Sequence, residues 1–215
     1  MQADIKNQKL ARIVVLHVIL IALMLVITQL PTPSRFLIWN LFLAVIPFDL
    51  AWLYIYLKPQ AGSKWILLGV ALVWLLFYPN TLYMLTDYIH LQAVGVDLTG
   101  IYQVLNYVIL TAGIFLGAFF GFESAYQMRY ALIKNPGWWI SVVYYGGLSA
   151  ISAFGIYLGR YLRLNSWHVL TEPIRVVEAL NYALVTDHGF TLKFLILFTC
   201  LEMMLFGVYA MLKKL

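Results

Sequence analysis

Charged residues are scarce in this chain of 215 residues. Asp, Glu, Lys and Arg make up 11% of the sequence and hydrophobic residues 63%, whereas a soluble domain carries about 25% charged residues. The mean hydropathy is +0.86. So small a charged fraction argues against an ordinary soluble enzyme or binding domain, and it predicts an integral membrane protein with little soluble mass.

Cysteine is almost absent as well. The one cysteine, Cys200, lies inside an apolar run, so the sequence contains no disulfide framework and no cysteine-based metal site. It also contains no glycine-rich phosphate loop, nucleophile elbow or dinucleotide fingerprint, and we expect no cofactor. The net charge of +5 comes from basic residues scattered singly between apolar segments, which indicates membrane topology rather than nucleic-acid binding.

Six apolar segments are long enough to cross a bilayer, since a spanning helix needs about 20 mainly apolar residues. They cover residues 12–30, 36–57, 65–84, 102–122, 138–159 and 194–212. The predicted fold is therefore all-α, a polytopic bundle of six transmembrane helices that forms one domain over residues 1–215. The first segment resembles a signal peptide, but its long apolar core and the lack of a small-x-small cleavage site favour a retained helix.

The basic residues predict that both termini lie in the cytoplasm. Nine of the 14 Lys and Arg residues fall on the side of the N-terminus, as the positive-inside rule requires. Residues 160–193 are then extracytoplasmic.

In that stretch Thr171 can cap a helix with Pro173 in its first turn, and Ile174, Val177, Leu180 and Leu184 recur at helical spacing. This pattern predicts an amphipathic helix that lies on the outer leaflet, over the bundle mouth, or as a packed lid without a ligand role.

Glycines recur at every fourth position in the fourth span. Gly113, Gly117 and Gly121 form a small-xxx-small face, which lets a neighbouring helix approach closely. The main expectation is packing inside the bundle. The glycines of the fifth span could face them; these are Gly146, Gly147, Gly155 and Gly159. The alternative is a homodimer or partner interface through Gly113, Gly117 and Gly121.

Three carboxylates lie within or close to the spans. Polar residues at membrane depth are costly and are functional candidates by default. Asp49 and Glu202 are therefore candidate proton-relay groups, although a structural hydrogen bond explains each equally well. Glu123 lies near the inner end of the fourth span, where we expect an interfacial carboxylate.

A polar stripe follows the third span. If the helix continues past Pro79, then Asn80, Tyr83, Asp87 and His90 fall within about 80° of one another. Leu82, Leu85 and Ile89 would point the opposite way. The stripe would lie at the outer mouth of the bundle.

The outer end of the fifth span supplies two arginines. Arg160 and Arg163 are three residues apart and are expected to share a helix face, with Asn165 just beyond. An arginine fork suits phosphate or carboxylate recognition, but the pair could equally bind Asp87, Asp97 or lipid headgroups.

Asp87 and His90 are also candidate acid–base or metal-binding residues. No His-x-x-x-His, Glu-x-x-His or cysteine pair accompanies them, so we predict no metal site.

Two of these stretches resemble the signature motifs of a known family. Tyr78–Leu91 and Gly159–Trp167 look like the motifs of small bacterial multi-pass membrane proteins catalogued as a domain of unknown function, and Asn40–Pro47 resembles a weaker third motif. Thr81 and Leu82 stand where that pattern has a small residue and proline, and His168 where it has an acid. The resemblance covers the chain from about residue 36. It implies a bacterial cytoplasmic (inner) membrane protein and supplies no activity.

These patterns together predict a ligand-handling membrane protein. Its extracytoplasmic pocket would bind or transport an anionic amphiphile, such as a phospholipid or a polyprenyl-phosphate headgroup. The pocket residues would be Asn80, Tyr83, Asp87, His90, Arg160, Arg163 and Asn165. One alternative is an intramembrane enzyme that uses Asp87 and His90 on a lipid-linked substrate. The other is a non-catalytic accessory subunit that docks a membrane partner through its glycine faces.

Overall fold

The structure, a computed structural model, describes residues 2–60, 62–95, 97–134 and 137–213, and these residues are almost entirely helical. Five long helices are α1 (Gln2–Gln29), α2 (Phe36–Leu57), α5 (Ile101–Leu132), α6 (Trp138–Tyr161) and α9 (His188–Leu212). The shorter helices are α3 (Lys64–Phe77), α4 (Pro79–Tyr83), α7 (His168–Thr171) and α8 (Pro173–Asn181). A 3₁₀-helix covers Met84–Ala93 and a π-helical turn covers Tyr182–Thr186.

Six helical stretches of the described chain are long and apolar enough to span a membrane. They are Leu10–Gln29, Phe36–Leu57, Lys64–Ala93, Ile101–Leu132, Trp138–Tyr161 and His188–Leu212. The prediction of an all-α bundle with six spans is therefore confirmed. Which end of the bundle faces the cytoplasm stays a prediction. We call the end that contains residue 87 the Asp87 end and the other the opposite end.

The third span is not one continuous helix, contrary to the expectation for residues 78–90. Pro79 lacks a backbone N–H, and α3 ends at Phe77 before α4 begins at Pro79. From Met84 the chain winds as a 3₁₀-helix with three residues per turn. Asp87 and His90 still share a face because that spacing eclipses residues i and i+3.

The leucines and isoleucine expected on a common back of this span do not share one environment. Leu82 is fully buried, whereas Ile89 is 53% exposed. The polar side chain of Asp87 is fully buried as well. The change from α4 to the 3₁₀-helix explains this split, because it alters the angle between successive side chains from about 100° to about 120°.

Helix α4 lies between α5 and α6, and glycines line both contacts. A Cβ atom at Gly121 of α5 would lie 2.5 Å from Thr81 Oγ1, and one at Gly155 of α6 would lie 2.6 Å from Pro79 Cγ. A Cβ atom at Gly117 would overlap Met84. The possibility that the glycines of the fifth span face those of the fourth is therefore wrong, because Gly155 and Gly159 contact α4 and Gly146 lies near Met203 of α9.

The glycine face of α5 is covered within the chain. Gly113, Gly117 and Gly121 are all buried, and Gly113 packs against Leu37 of α2. Helix α2 packs along α5, and α6 packs along α9. A role for these glycines in pairing with a second copy stays a prediction.

The segment between α6 and α9 contains the predicted short helix, but Thr171 does not cap it. The residue preceding α8 is Glu172, which makes no side-chain capping bond, and Thr171 Oγ1 donates to the Trp167 carbonyl at 3.2 Å. Pro173 occupies the first turn, as expected. No residue of α8 is buried, and Ile174 is 75% exposed. Whether α8 lies on the outer leaflet, over the bundle mouth or as a packed lid stays a prediction.

Candidate functional site

A buried carboxylate, Asp87, is held by side chains from two other helices. Its Oδ1 lies 2.5 Å from the Arg160 guanidinium of α6, and its Oδ2 accepts a hydrogen bond from Asn40 Nδ2 of α2 at 2.7 Å. The Asp87 side chain is 1% exposed and that of Arg160 is 17% exposed. A charge taken out of water requires such partners. Asp87 therefore ties the 3₁₀-helix to α2 and α6 at one depth.

Arg160 makes further contacts inside the protein besides its pair with Asp87. Its Nε donates to Thr86 Oγ1 at 2.7 Å, and a terminal nitrogen of the guanidinium contacts the same hydroxyl. The guanidinium carbon lies 4.4 Å from the centre of the Tyr83 ring, within the range of a cation–π interaction. Asp87 and Arg160 together form a neutral unit, so Arg160 is not a free cation for a ligand.

The predicted arginine fork is not formed. Helix α6 ends at Tyr161, and Arg163 lies beyond it with a positive φ of 53°. Its side chain is exposed, and within the described residues it forms no ion pair. Arg160 and Arg163 therefore do not share a helix face, because the helix stops between them.

A second polar group surrounds the start of α8. Glu172 pairs with Arg175 at 3.0 Å and with His168 at 3.5 Å. The hydrogen bond from Arg175, together with the nearby imidazole of His168, lowers the pKa of the exposed Glu172 carboxyl below its ordinary value. Arg175 also donates to the Arg163 carbonyl at 3.2 Å. These contacts fix the turn that presents the Arg163 side chain.

A cavity of about 430 Å³ lies beside the Asp87–Arg160 pair. Its walls come from α2, α3, α4, α6, α7, α8 and the turn that follows α6, and they are mostly leucine, isoleucine and aromatic side chains. Its polar lining residues are Asn40, Asn80, Tyr83, Asn165 and Ser166. We call this space, together with these residues, the Asp87-end cavity.

Hydrogen bonds fix the polar part of this cavity. Asn80 Nδ2 donates to Ser166 Oγ at 3.0 Å, and Ser166 Oγ donates to the Leu76 carbonyl at 2.9 Å. The backbone N–H of Asn165 donates to His168 Nδ1 at 3.1 Å. The turn after α6 is thereby attached to the third span.

The structure brings some of the proposed pocket residues together and separates others. Asn80, Tyr83 and Asn165 line the cavity, and the Asp87–Arg160 pair adjoins it through Asn40 and Tyr83. His90 lies 4.0 Å from Asp87 Oδ1, beyond hydrogen-bond distance, with its ring centre 4.0 Å from that of Phe36. Arg163 does not line the cavity itself.

Sequence reasoning missed three residues of this site: Asn40, Thr86 and Ser166. Each had a weak signal. Asn40 opens the third resembling stretch, Thr86 directly precedes Asp87, and Ser166 lies inside the stretch Gly159–Trp167. Their pairing with Asp87, Arg160 and Asn80 depends on the tertiary structure alone.

Asp187 and His188, which lie at the same end, have partners other than Asp87. Asp187 accepts a hydrogen bond from Tyr157 at 2.6 Å, and the His188 imidazole lies 3.1 Å from the Val185 carbonyl. Across the part of the chain that the structure describes, no group of three or more His, Cys, Asp or Glu side chains could hold a metal ion.

Residues 39–205 match the profile of a protein family described as "Protein of unknown function (DUF1361)". The chain belongs to the DUF1361 family. The resemblance to a family of unknown function is thus confirmed, while a bacterial origin stays a prediction. No curated protein and no solved structure matches the chain. The DUF1361 match includes Asn40, Asp87, Arg160 and the whole Asp87-end cavity, and it excludes α1.

The DUF1361 region also contains the two intramembrane acids. Asp49 lies on an exposed side of α2 and pairs with His17 of α1 at 3.2 Å. Glu202 of α9 is fully buried. Its Oε1 accepts a hydrogen bond from Ser152 at 3.0 Å, and its Oε2 has no partner among the described residues. Neither acid contacts Asp87, so a proton-relay role for Asp49 or Glu202 stays a prediction.

Proposed function

We propose that the protein binds an anionic amphiphile at the Asp87 end of the bundle, with the apolar part of the ligand in the Asp87-end cavity. One observation carries this proposal. A cavity of about 430 Å³ with apolar walls has a few polar side chains gathered on it. Ligand sites in proteins combine an apolar lining with a small number of placed polar groups in this way.

The charges of the arginines around the cavity support a ligand with an anionic headgroup. Arg160 is neutralised by Asp87, and Arg175 is paired with Glu172. Arg163 adds an exposed cation without an ion-pair partner in the described part of the chain, directly before the cavity residues Leu164 and Asn165. A phosphate or carboxylate close to Arg163, with its tail among the leucines of α3 and α6, would satisfy both features.

The geometry supports binding or transport more than acid–base catalysis. Both oxygens of Asp87 are occupied by Arg160 and Asn40. The His90 ring packs against Phe36 with the two rings tilted by 38°, and it lies 4.0 Å from Asp87 Oδ1, too far to donate a hydrogen bond. A general base needs a free acceptor within reach of its substrate.

Filling the Asp87-end cavity should reduce ligand binding at least tenfold. Leu72 lines it on α3 and is 57% exposed, so Leu72→Trp adds volume to the cavity without overpacking the core. We expect native mass spectrometry to detect adducts of farnesyl phosphate on the parent protein and to detect at least tenfold fewer on Leu72→Trp. The matched control is Leu68→Trp, one turn earlier on the same helix, 46% exposed and outside the cavity lining.

Equal adduct formation by both tryptophan variants would contradict the proposal.

Farnesol has the same tail as farnesyl phosphate and no charge, so comparing the two ligands tests whether the charge of the headgroup contributes to binding. Arg163→Gln should weaken farnesyl phosphate binding about fivefold, since one basic residue near an anionic headgroup contributes about 1 kcal/mol, and it should leave farnesol binding unchanged.

The proposed orientation places the Asp87 end outside the cytoplasm. In a chain with Cys200→Ser, single cysteines at Ala93 and Val177 should react with a membrane-impermeant maleimide added to intact cells. Both positions are exposed in the structure. A cysteine at Gln60, at the opposite end, is the control and should react only after lysis. The reverse pattern would place the cavity in the other leaflet.

A further inference from the structure

A second and larger cavity lies at the opposite end of the bundle. It has a volume of about 1100 Å³ and lies between α1, α2 and α5, next to the last turn of α9. We call it the α1 groove. Its walls are mainly apolar and aromatic side chains, including Val15, Leu16, Phe48, Trp52 and Phe119. It shares no lining residue with the Asp87-end cavity.

Basic side chains exceed acidic ones on the α1 groove. Its charged lining residues are Arg12, Lys58, Lys213 and Glu123. Glu123 pairs with Lys213 at 2.7 Å and also accepts hydrogen bonds from Gln127 and Tyr209. Lys213 and Glu123 therefore balance each other, and Arg12 and Lys58 remain in excess.

No carboxylate neutralises these two cations within the described residues. The Lys58 ammonium donates to the backbone carbonyl of Ala131, which leaves its charge uncompensated. Arg12 is exposed on α1 and forms no ion pair in the described part of the chain. Two cations without a carboxylate partner on an apolar groove favour an occupant that has an apolar body and an anionic head.

The indole of Trp52 supports the same type of ligand. Trp52 lines the groove, and its buried Nε1–H has no hydrogen-bond acceptor among the described residues. A buried donor without an acceptor is costly. An ester carbonyl below a phosphate headgroup would supply that acceptor.

We infer that the α1 groove binds an anionic phospholipid of the surrounding bilayer. Its acyl chains lie against Phe48 and Phe119, and its phosphate lies at Arg12 and Lys58. Basic pockets between transmembrane helices recognise anionic headgroups through the same charge pairing. Many residues of α1 are exposed. The bound lipid would fill the space between α1 and the helices α2 and α5.

Charge removal tests the headgroup part of this inference. The protein is reconstituted in vesicles of equal phosphatidylglycerol and phosphatidylcholine, and the retained lipids are counted by native mass spectrometry. Lys58→Gln should lower phosphatidylglycerol retention about fivefold and leave phosphatidylcholine unchanged. Lys58→Arg, which keeps the charge, should retain the parent level. Lys64→Gln is the control, because Lys64 is an exposed lysine at the same end that does not line the groove.

Groove filling tests the apolar part. Val14 and Val15 are neighbours on α1 and are 52% and 55% exposed, and only Val15 lines the groove. Val15→Trp should remove most of the retained phosphatidylglycerol, whereas Val14→Trp and Leu72→Trp should keep the parent level at this site. Parent-level retention in both Lys58→Gln and Val15→Trp would overturn the inference. That result would not affect the proposal that a ligand binds in the Asp87-end cavity.

Discussion

Replacing Arg160 by Gln is expected to lower the free energy of unfolding by about 3–5 kcal/mol, because it leaves Asp87 buried without its cation. The carboxylate would keep Asn40 as its one strong donor, and the Asp87 side chain is 1% exposed. Asp87→Asn should cost less, since Arg160 keeps Thr86 and the Tyr83 ring. Thermal unfolding in detergent measures both variants.

The double variant tests whether Asp87 and Arg160 contribute to stability as a coupled pair or independently. Asp87→Asn with Arg160→Gln should be less destabilised than the sum of the single changes, because no buried charge is left unpaired. Arg175→Gln is the control. It removes an arginine from the exposed pair with Glu172, and such surface pairs contribute little. Strict additivity of the two buried changes would contradict the structure of the site.

Gly155→Ala is expected to destabilise the bundle by about 1–3 kcal/mol. The added Cβ would lie 2.6 Å from Pro79 Cγ and 2.7 Å from Pro79 Cβ. The pyrrolidine ring cannot move aside as a flexible side chain would. Because Pro79 begins α4, the displacement would also move the helix that precedes Asp87. Thermal unfolding of the purified variant reports the loss.

The matched control is Gly147→Ala, eight residues earlier on α6. A Cβ at Gly147 meets no atom of the described residues within 4 Å, and alanine is favoured over glycine in a helix by about 0.5–1 kcal/mol. This variant should therefore melt at or slightly above the parent temperature. A Gly155→Ala variant that melts like Gly147→Ala would show that α6 does not pack closely on α4.

Part of the candidate site could be predicted from the sequence. Asp87 and Arg160 were expected at the same membrane depth because both follow spans that end on one side, and a pairing between them was among the alternatives. Asn40 could not be assigned to them. It lies 47 residues before Asp87, and a residue on a spanning helix reveals its face only through the neighbours that pack on it.

Two errors in the sequence reasoning have one cause. A helical period of 100° per residue predicts the polar stripe of the third span, and a spacing of three residues predicts that Arg160 and Arg163 share a helix face. In the structure the first segment winds as a 3₁₀-helix from Met84, and α6 ends at Tyr161. Helix ends and tighter turns depend on which tertiary contacts satisfy the free backbone groups, and no local pattern marks those contacts here.

The sequence by itself determined that this protein is a bundle of six membrane-spanning helices, because apolar length and scarce charge admit few other arrangements. It also identified the glycines as candidate packing residues and the polar stretches as candidate site residues. Only the tertiary structure decided that Gly121 and Gly155 pack against α4 and that Arg160 turns inward to Asp87. In a bilayer the hydrophobic effect does not choose between helix faces, and close packing with a few buried polar pairs decides which faces meet.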